Sequence, residues 1–222
     1  MIITYQAHKS FEIENGRVNV IATSSPIAYC DLIEGMQEKN ELLASMSEDY
    51  ETIPLSKALD WLGDPVISES LFQKYMTKVT NYVVEDLSED GRNRIITLYR
   101  DLLNAVQDEL FMEDLPLAIN FDTDLKKLIK FGGIHFDKSL ATNPYGIIET
   151  VLRIHDRLGL KSIVAFSNVA HYLDKQQLNE LSKLCQELNK AVILIEFCSQ
   201  NDQSVYRDAK FNYIDEDLVD WY

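Results

Sequence analysis

Residues 161 to 197 constrain this chain more than any other stretch, because a whole supersecondary unit can be read there. Ser162-Ile163-Val164-Ala165-Phe166 is an apolar run of strand length, and Ala191-Val192-Ile193-Leu194-Ile195-Glu196-Phe197 is a second. Between them Leu178, Leu181, Leu184, Cys185 and Leu188 recur at three- and four-residue steps, one apolar stripe on a helix of roughly four turns. Continuous apolar strands joined by a crossover helix belong in a parallel sheet covered on both faces, since a sheet with one wet face would alternate. The pattern therefore predicts an α/β core.

The chain has 222 residues, 46% hydrophobic and 26% charged, enough for one domain or for one domain carrying an insertion. No run approaches the roughly 18 apolar residues that span a bilayer. The opening Met1-Ile2-Ile3-Thr4-Tyr5-Gln6 lacks the basic region of a signal peptide, so a cytoplasmic setting without membrane contact is expected. Cys30, Cys185 and Cys198 are far apart and form no Cys-x-x-Cys pair, which predicts buried thiols instead of a disulfide framework or zinc site. The net charge of −15 argues against a polyanion partner if charge is spread evenly. It leaves open an acidic protein with one basic concave surface, gathered by oligomerisation.

Phe11-Glu12-Ile13-Glu14 and Arg17-Val18-Asn19-Val20-Ile21 flank Asn15-Gly16, the dipeptide favoured in tight hairpin turns, and predict an N-terminal β-hairpin. Thr23-Ser24-Ser25-Pro26 then carries a cap and an early proline, with Tyr29, Leu32, Ile33 and Met36 at helical spacing behind it. Residues 39 to 51 are polar without a clear period and predict a loop. From Leu71 the pattern lengthens: Leu71, Phe72, Tyr75, Met76, Val79, Val83 and Leu87 form one stripe, and Ile95, Leu98, Tyr99, Leu102, Val106 and Leu110 another, with Glu89-Asp90-Gly91 as the turn between two antiparallel helices. A third helix follows Asp122-Thr123-Asp124, with Leu125, Leu128 and Ile129 inward and Gly132-Gly133 as its stop. Residues 64 to 136 thus predict an inserted α-helical leg, and residues 1 to 63 with 137 to 222 an α/β head. Asn143-Pro144 opens one further helix closed by Gly159, and residues 210 to 214 predict a last strand.

The loop after the first long head strand contains neither glycine nor lysine, whereas a phosphate-binding loop needs both. Phe166-Ser167-Asn168, at the end of a core strand, offers no carboxylate for magnesium. His8, His135, His155 and His171 form no ligand pair and predict surface or half-buried positions, and no serine stands in a nucleophile elbow. Two features remain. Glu113, Asp114, Asn120, Asp122 and Asp124, with Asp137 beyond, are closely spaced oxygen ligands of the kind calcium takes, although Asp122 and Asp124 serve equally as helix cap and dipole partner. Lys126, Lys127 and Lys130, with Lys138 beyond, form a basic patch: a solvated helix face or, on a concave surface, a phosphate contact.

The order of hairpin, Val18-Asn19-Val20-Ile21-Ala22 strand, helical excursion, residues 121 to 130 and residues 162 to 197 resembles the short form of the type II-A CRISPR adaptation protein of the Csn group. Ala58-Leu59-Asp60-Trp61-Leu62-Gly63 and Tyr213-Ile214-Asp215-Glu216-Asp217 look like it too, so the resemblance runs over essentially the whole chain. It implies a head related to P-loop ATPases without their nucleotide site, and a calcium-stabilised homotetrameric ring that binds the ends of linear double-stranded DNA through its central hole. The implied setting is spacer acquisition, without catalysis, alongside the two integrase subunits and the effector nuclease. Carried onto this chain, the calcium ligands fall at Asp122, with Asp124, Glu113 and Asp137 as neighbours, and the DNA contacts at Lys126, Lys127, Lys130, Lys138 and Arg17. Where the family is richer in acids, this chain has Asn120, Lys126 and Lys127. The alternatives are a degenerate P-loop hydrolase, a metal-dependent nuclease using the acidic cluster, and a scaffold without DNA contact.

Overall fold

Two sheets share the work of burying the head, and the larger is built around the stretch that dominates the sequence. The computed structural model describes residues 1–6, 8–67, 71–113, 115–137, 139, 143–215 and 220–221. Strands β1 (Ile2–Tyr5), β2 (Phe11–Glu12), β4 (Leu43–Met46) and β5 (Thr52–Ile53) form an antiparallel sheet in the order β2-β1-β4-β5. Strands β3 (Val18–Thr23), β6 (Leu59–Gly63), β7 (Ile163–Ser167), β8 (Val192–Phe197), β9 (Lys210–Ile214) and β10 (Asp220–Trp221) form the second, ordered β10-β9-β3-β8-β7-β6. Its first five members are mutually parallel, and β10 pairs antiparallel with β9. The fold is α/β with a mainly parallel sheet, and residues 161 to 197 are the predicted strand, helix and strand, with β7 and β8 as direct neighbours.

The N-terminal hairpin does not form. Strand β2 pairs with β1, whereas β3 runs parallel between β8 and β9, so Asn15-Gly16 joins two sheets instead of two neighbouring strands. Every residue of β3 is buried, including Asn19, whose polar character suggested a wet face. The Asn19 amide instead donates to the carbonyls of Glu14, Arg17 and Val192 and accepts from the Glu14 N–H at 2.9 Å. A buried amide with every group paired pins the crossing from one sheet to the other. The predicted loop at 39 to 51 also holds a strand: β4 lies along β1, with Leu43 and Ser45 buried.

Helix α1 (Pro26–Met36) packs Ala28, Leu32 and Met36 on one face of the large sheet, together with Ile3, Tyr5, Phe11 and Leu43 from the small sheet and Ile21, Ala165, Ile193 and Ile195 from the strands. The short α2 (Leu55–Ala58) adds its buried ends to the same cluster. Val164, Phe166, Val192 and Leu194 alternate with those strand residues and take the other face. Buried there are Ile148, Val151 and Leu152 of α6 (Pro144–Arg157) and Leu178, Leu181 and Cys185 of α7 (Lys175–Leu188), two helices that pack together. Caps read in the sequence set their starts: Ser25 accepts from the Ala28 N–H and Asn143 from the Gly146 N–H. The left-handed Asn189 ends α7. Cys185 is buried as expected, but Cys30 is exposed on α1.

A second compact unit comprises Lys74–Phe136, the first being Met1–Gln73 with Asp137–Tyr222. It contains α3 (Gln73–Asp86, whose first residue belongs to the head), α4 (Glu89–Leu110) and α5 (Leu125–Phe131). The turn is Leu87-Ser88, ahead of its predicted place at Glu89-Asp90-Gly91. Ser88 accepts from the Gly91 N–H at 3.0 Å, which puts Glu89 and Asp90 in the first turn of α4, where their charge suits the helix dipole. Arg92 Nη2 donates to the Val84 carbonyl and links α4 back to α3. Although its stripe is amphipathic, none of the 22 residues of α4 is buried, and Leu98, Leu102 and Val106 stand exposed.

Candidate functional site

Of the acid and lysine residues singled out above, Asp122, Asp124 and Lys127 have local partners in the structure. Asp122 Oδ1 accepts from the Asp124 N–H, and Asp124 in turn caps α5 by accepting from the Lys126 N–H at 2.9 Å. Lys127 Nζ reaches Asp122 Oδ2 at 2.6 Å. Lys127 holds the Asp122 carboxyl below its usual range, and Asp122 raises the lysine. The pair is exposed, so its net contribution is small. Lys126 and Lys130 are exposed and have no acidic side chain within 4.0 Å among the described residues.

Glu113, Asp122 and Asp124 belong to the helical unit, Asp137 to the head. Among the described residues no three His, Cys, Asp or Glu side chains converge in a way that could hold a metal ion. Arg17 also lies in the head, where Nη1 pairs with Glu14 Oε2 at 2.8 Å; Lys210 and then Arg17 hold that carboxyl below its ordinary value. Lys138 and Asp114 fall outside the described residues.

A different site opens at the carboxyl ends of the parallel strands, the usual location for ligands in open α/β sheets. Strand β3, residues 23 to 25 and α1 make the strand, loop and helix of a phosphate-binding unit. Two of its N–H groups are engaged within the loop itself. Thr23 Oγ1 accepts from the Ser25 N–H, Pro26 has no N–H, and Ser25 accepts from the Ala28 N–H through its side chain and from Tyr29 through its carbonyl. After β7, the N–H groups of Val169 and Ala170 point at Glu196 Oε1, at 2.9 and 3.3 Å. Glu196 is 1% exposed; desolvation pushes its carboxyl up to about 8, against the lowering effect of those two donors.

Beside Glu196 lies a crevice of about 430 Å³ lined by Tyr29, Cys30, Asp64, Asn168, Tyr172 and Phe197, with Pro26 and His171 completing it. Tyr29 donates to Asn168 Oδ1 at 2.9 Å and meets Phe197 edge to face, with ring centroids 5.5 Å apart. Asn168 is left-handed at φ 58 and anchors its own N–H on the Ile195 carbonyl. The Tyr172 hydroxyl is buried beside Asp64, and its pKa is raised by burial first and by its interaction with the Asp64 carboxyl next.

Asp64 and Glu196 escaped the sequence reading because their meeting depends on strand order. Glu196 did leave a trace: an acid inside an otherwise apolar strand buried on both faces must be held by donors or protonated. His155 is also buried at 1% exposure, contrary to expectation, with Nε2 2.8 Å from Asp60 Oδ2 and Nδ1 3.2 Å from the Ser162 carbonyl. Asp60 is 95 residues away, so no local pattern marks the pair.

Fold and strand-end geometry together define a class: an α/β head whose first long strand, loop and helix have the layout of a phosphate-binding unit without its glycines and lysine, interrupted by a helical insertion. A family model described as CRISPR-associated protein (Cas_Csn2) matches residues 36–218, and the chain belongs to that family. Among solved structures, that of Stu0660 of Streptococcus thermophilus aligns with a TM-score of 0.56 at 12% identity, over 100% of this chain and 76% of the other. That likeness concerns the fold. A bacterial ABC transporter cassette, the dimeric MJ0796, aligns at a TM-score of only 0.36 with 11% identity, over 96% of this chain and 91% of that one. No curated protein matches the chain by sequence.

Proposed function

We propose that this CRISPR-associated protein acts in spacer acquisition as a non-enzymatic, ring-forming homotetramer that binds the ends of linear double-stranded DNA. The observation that carries the reading is a contrast of charge. In a chain of net charge −15, Lys126, Lys127 and Lys130 are exposed together on the seven residues of α5. Brought together by copies of the chain, such faces would line a hole in which lysines screen phosphates and topology retains the duplex, with no base-edge contact. The exposed Leu98, Leu102 and Val106 on α4 supply apolar surface that a second copy would cover. The loop at residues 23 to 25, which has neither glycine nor lysine and whose Ser25 N–H is bonded to Thr23, favours this reading over nucleotide hydrolysis.

Calcium belongs to the proposal through family membership. Because one chain does not gather Glu113, Asp122, Asp124 and Asp137, an ion held by them would need ligands brought in by assembly, and no step here depends on it. The integrase subunits and the effector nuclease are the proposed protein partners, and the cytoplasm the proposed compartment; no helix among the described residues is long and apolar enough to cross a membrane.

The test is a binding titration of a linear duplex at several salt concentrations. Wild type is expected to bind without sequence preference, and replacing Lys126, Lys127 and Lys130 by Glu is expected to abolish the shift. Unchanged binding by the triple variant would remove α5 from the account. Magnesium-dependent cleavage of the duplex, lost in Asp122→Ala, would replace it with the nuclease reading.

A further inference from the structure

The crevice at the strand ends has a composition unlike a phosphate site. Tyr29, Tyr172 and Phe197 bring aromatic rings to it, and His171 adds an imidazole. Asp64 brings a carboxylate, with no Lys, Arg or His within 4.0 Å among the described residues, and the buried Glu196 carboxyl lies behind. No lysine or arginine lines the space. An anionic ligand would meet Asp64 while finding the N–H groups of Ser25, Ala28, Val169 and Ala170 already bonded. Asp64 Oδ1 accepts from the Val66 N–H at 2.9 Å, but a neutral apolar ligand would leave the carboxylate without a counter-ion.

We propose that this crevice is a binding site for an organic cation, an alkylammonium or guanidinium group packed among Tyr29, Tyr172 and Phe197 with Asp64 as its counter-ion. A cation among aromatic rings is attracted by their quadrupoles, and the attraction grows as water is excluded. Phe197 is 43% exposed and Ile27, on the first turn of α1 next to Pro26, is 76% exposed, so the rim offers apolar surface to the stem that carries the charge. A lysine or arginine side chain of another protein and a free polyamine present the same chemistry. The site lies wholly within the head, and its occupancy does not depend on duplex binding by α5.

The experiment is an amide chemical-shift titration of the isotopically labelled full chain. Probes are tetramethylammonium chloride, its neutral isostere neopentyl alcohol and, as the anion, methyl phosphate. Saturable shifts at Asn168, His171, Tyr172 and Phe197 are expected with the cation alone. Asp64→Asn should weaken binding roughly tenfold and Phe197→Leu roughly threefold, in keeping with a cation–π contact closed by one counter-ion. Two further arms separate the sources: tighter binding of N-acetyl-lysine methylamide than of spermidine identifies a protein side chain, and the reverse order a polyamine. Saturable binding of neopentyl alcohol as strong as that of the cation, preference for methyl phosphate, or no saturable shift with any cation would overturn the proposal. These comparisons are made on the wild-type chain, so they hold even where a variant folds poorly.

Discussion

Strand β8 buries five of its six residues, whereas the 22 residues of α4 bury none. Both segments are rich in apolar side chains, yet only the head supplies the partners to cover them. Ile193 and Ile195 face α1 and the small sheet, and Val192 and Leu194 face the opposite layer, so the head completes its own core. On α4, Leu98, Leu102 and Val106 remain exposed, an arrangement suited to assembly. The difference teaches that the head covers its central strand from both sides, while α4 leaves apolar surface for something else to cover.

The largest expected effect breaks or confirms that contrast directly. Leu152→Ala, at a fully buried position on α6, should cost about 2–5 kcal/mol in urea denaturation, while Leu102→Ala on α4 should stay within about 0.5 kcal/mol for the monomer. Equal costs would show that α4 is covered in the single chain after all. Leu98→Asp with Leu102→Asp should lower the oligomer mass in light scattering; an unchanged mass would take α4 out of assembly.

Next in size is the pH response of the head. The folded Glu196 carboxyl is raised to about 8 from an ordinary 4.5, so between those values the folded chain holds a proton that the unfolded chain has released. Its contribution is complete below about pH 4.5 and is lost as pH rises through about 8, with a slope of at most about 1.4 kcal/mol per pH unit. Asp64, Cys198, Tyr29, Tyr172 and Tyr206 are ionisable neighbours, and burial followed by Glu196 pushes the Cys198 thiol up to about 12. Melting temperatures between about pH 5 and pH 9 should therefore fall in wild type and flatten in Glu196→Gln. Parallel slopes in the two proteins would show that Glu196 is ionised throughout.

Smaller effects separate the two units further. Asp124→Ala removes the cap of α5 and should cost about 1 kcal/mol, read as faster hydrogen exchange at Leu128 and Ile129 with head amides unchanged. Asp122→Ala breaks an exposed ion pair and should change stability by less than about 0.5 kcal/mol. A larger loss would give the Asp122 and Lys127 pair a structural weight that its exposure does not suggest.

What was legible in the sequence follows the same division between local and distant causes. The unit at 161 to 197, the Asn143 cap and the cationic face of α5 are written in short spacings and stand where the pattern places them, whereas the cap of α5 is Asp124 and not Asp122, and that of α1 is Ser25 among the three candidates of Thr23-Ser24-Ser25. The N-terminal hairpin was misread because the polar Asn19 imitates a wet face while its amide closes a buried turn. Strand β4 was missed because a four-residue strand with two buried side chains leaves almost no period. The crevice leaves no local pattern because Tyr29 of α1, Asp64 after β6, Asn168 after β7 and Phe197 at the end of β8 meet only through the sheet order.

The most direct test of the account compares a linear duplex with a closed circular duplex of the same sequence in an electrophoretic shift. A ring threaded from the ends should shift the linear form, with affinity falling steeply as salt rises, and leave the closed circle unshifted. Equal shifts of the two forms would contradict threading, and no shift of either at low salt would leave this chain as a scaffold without DNA contact.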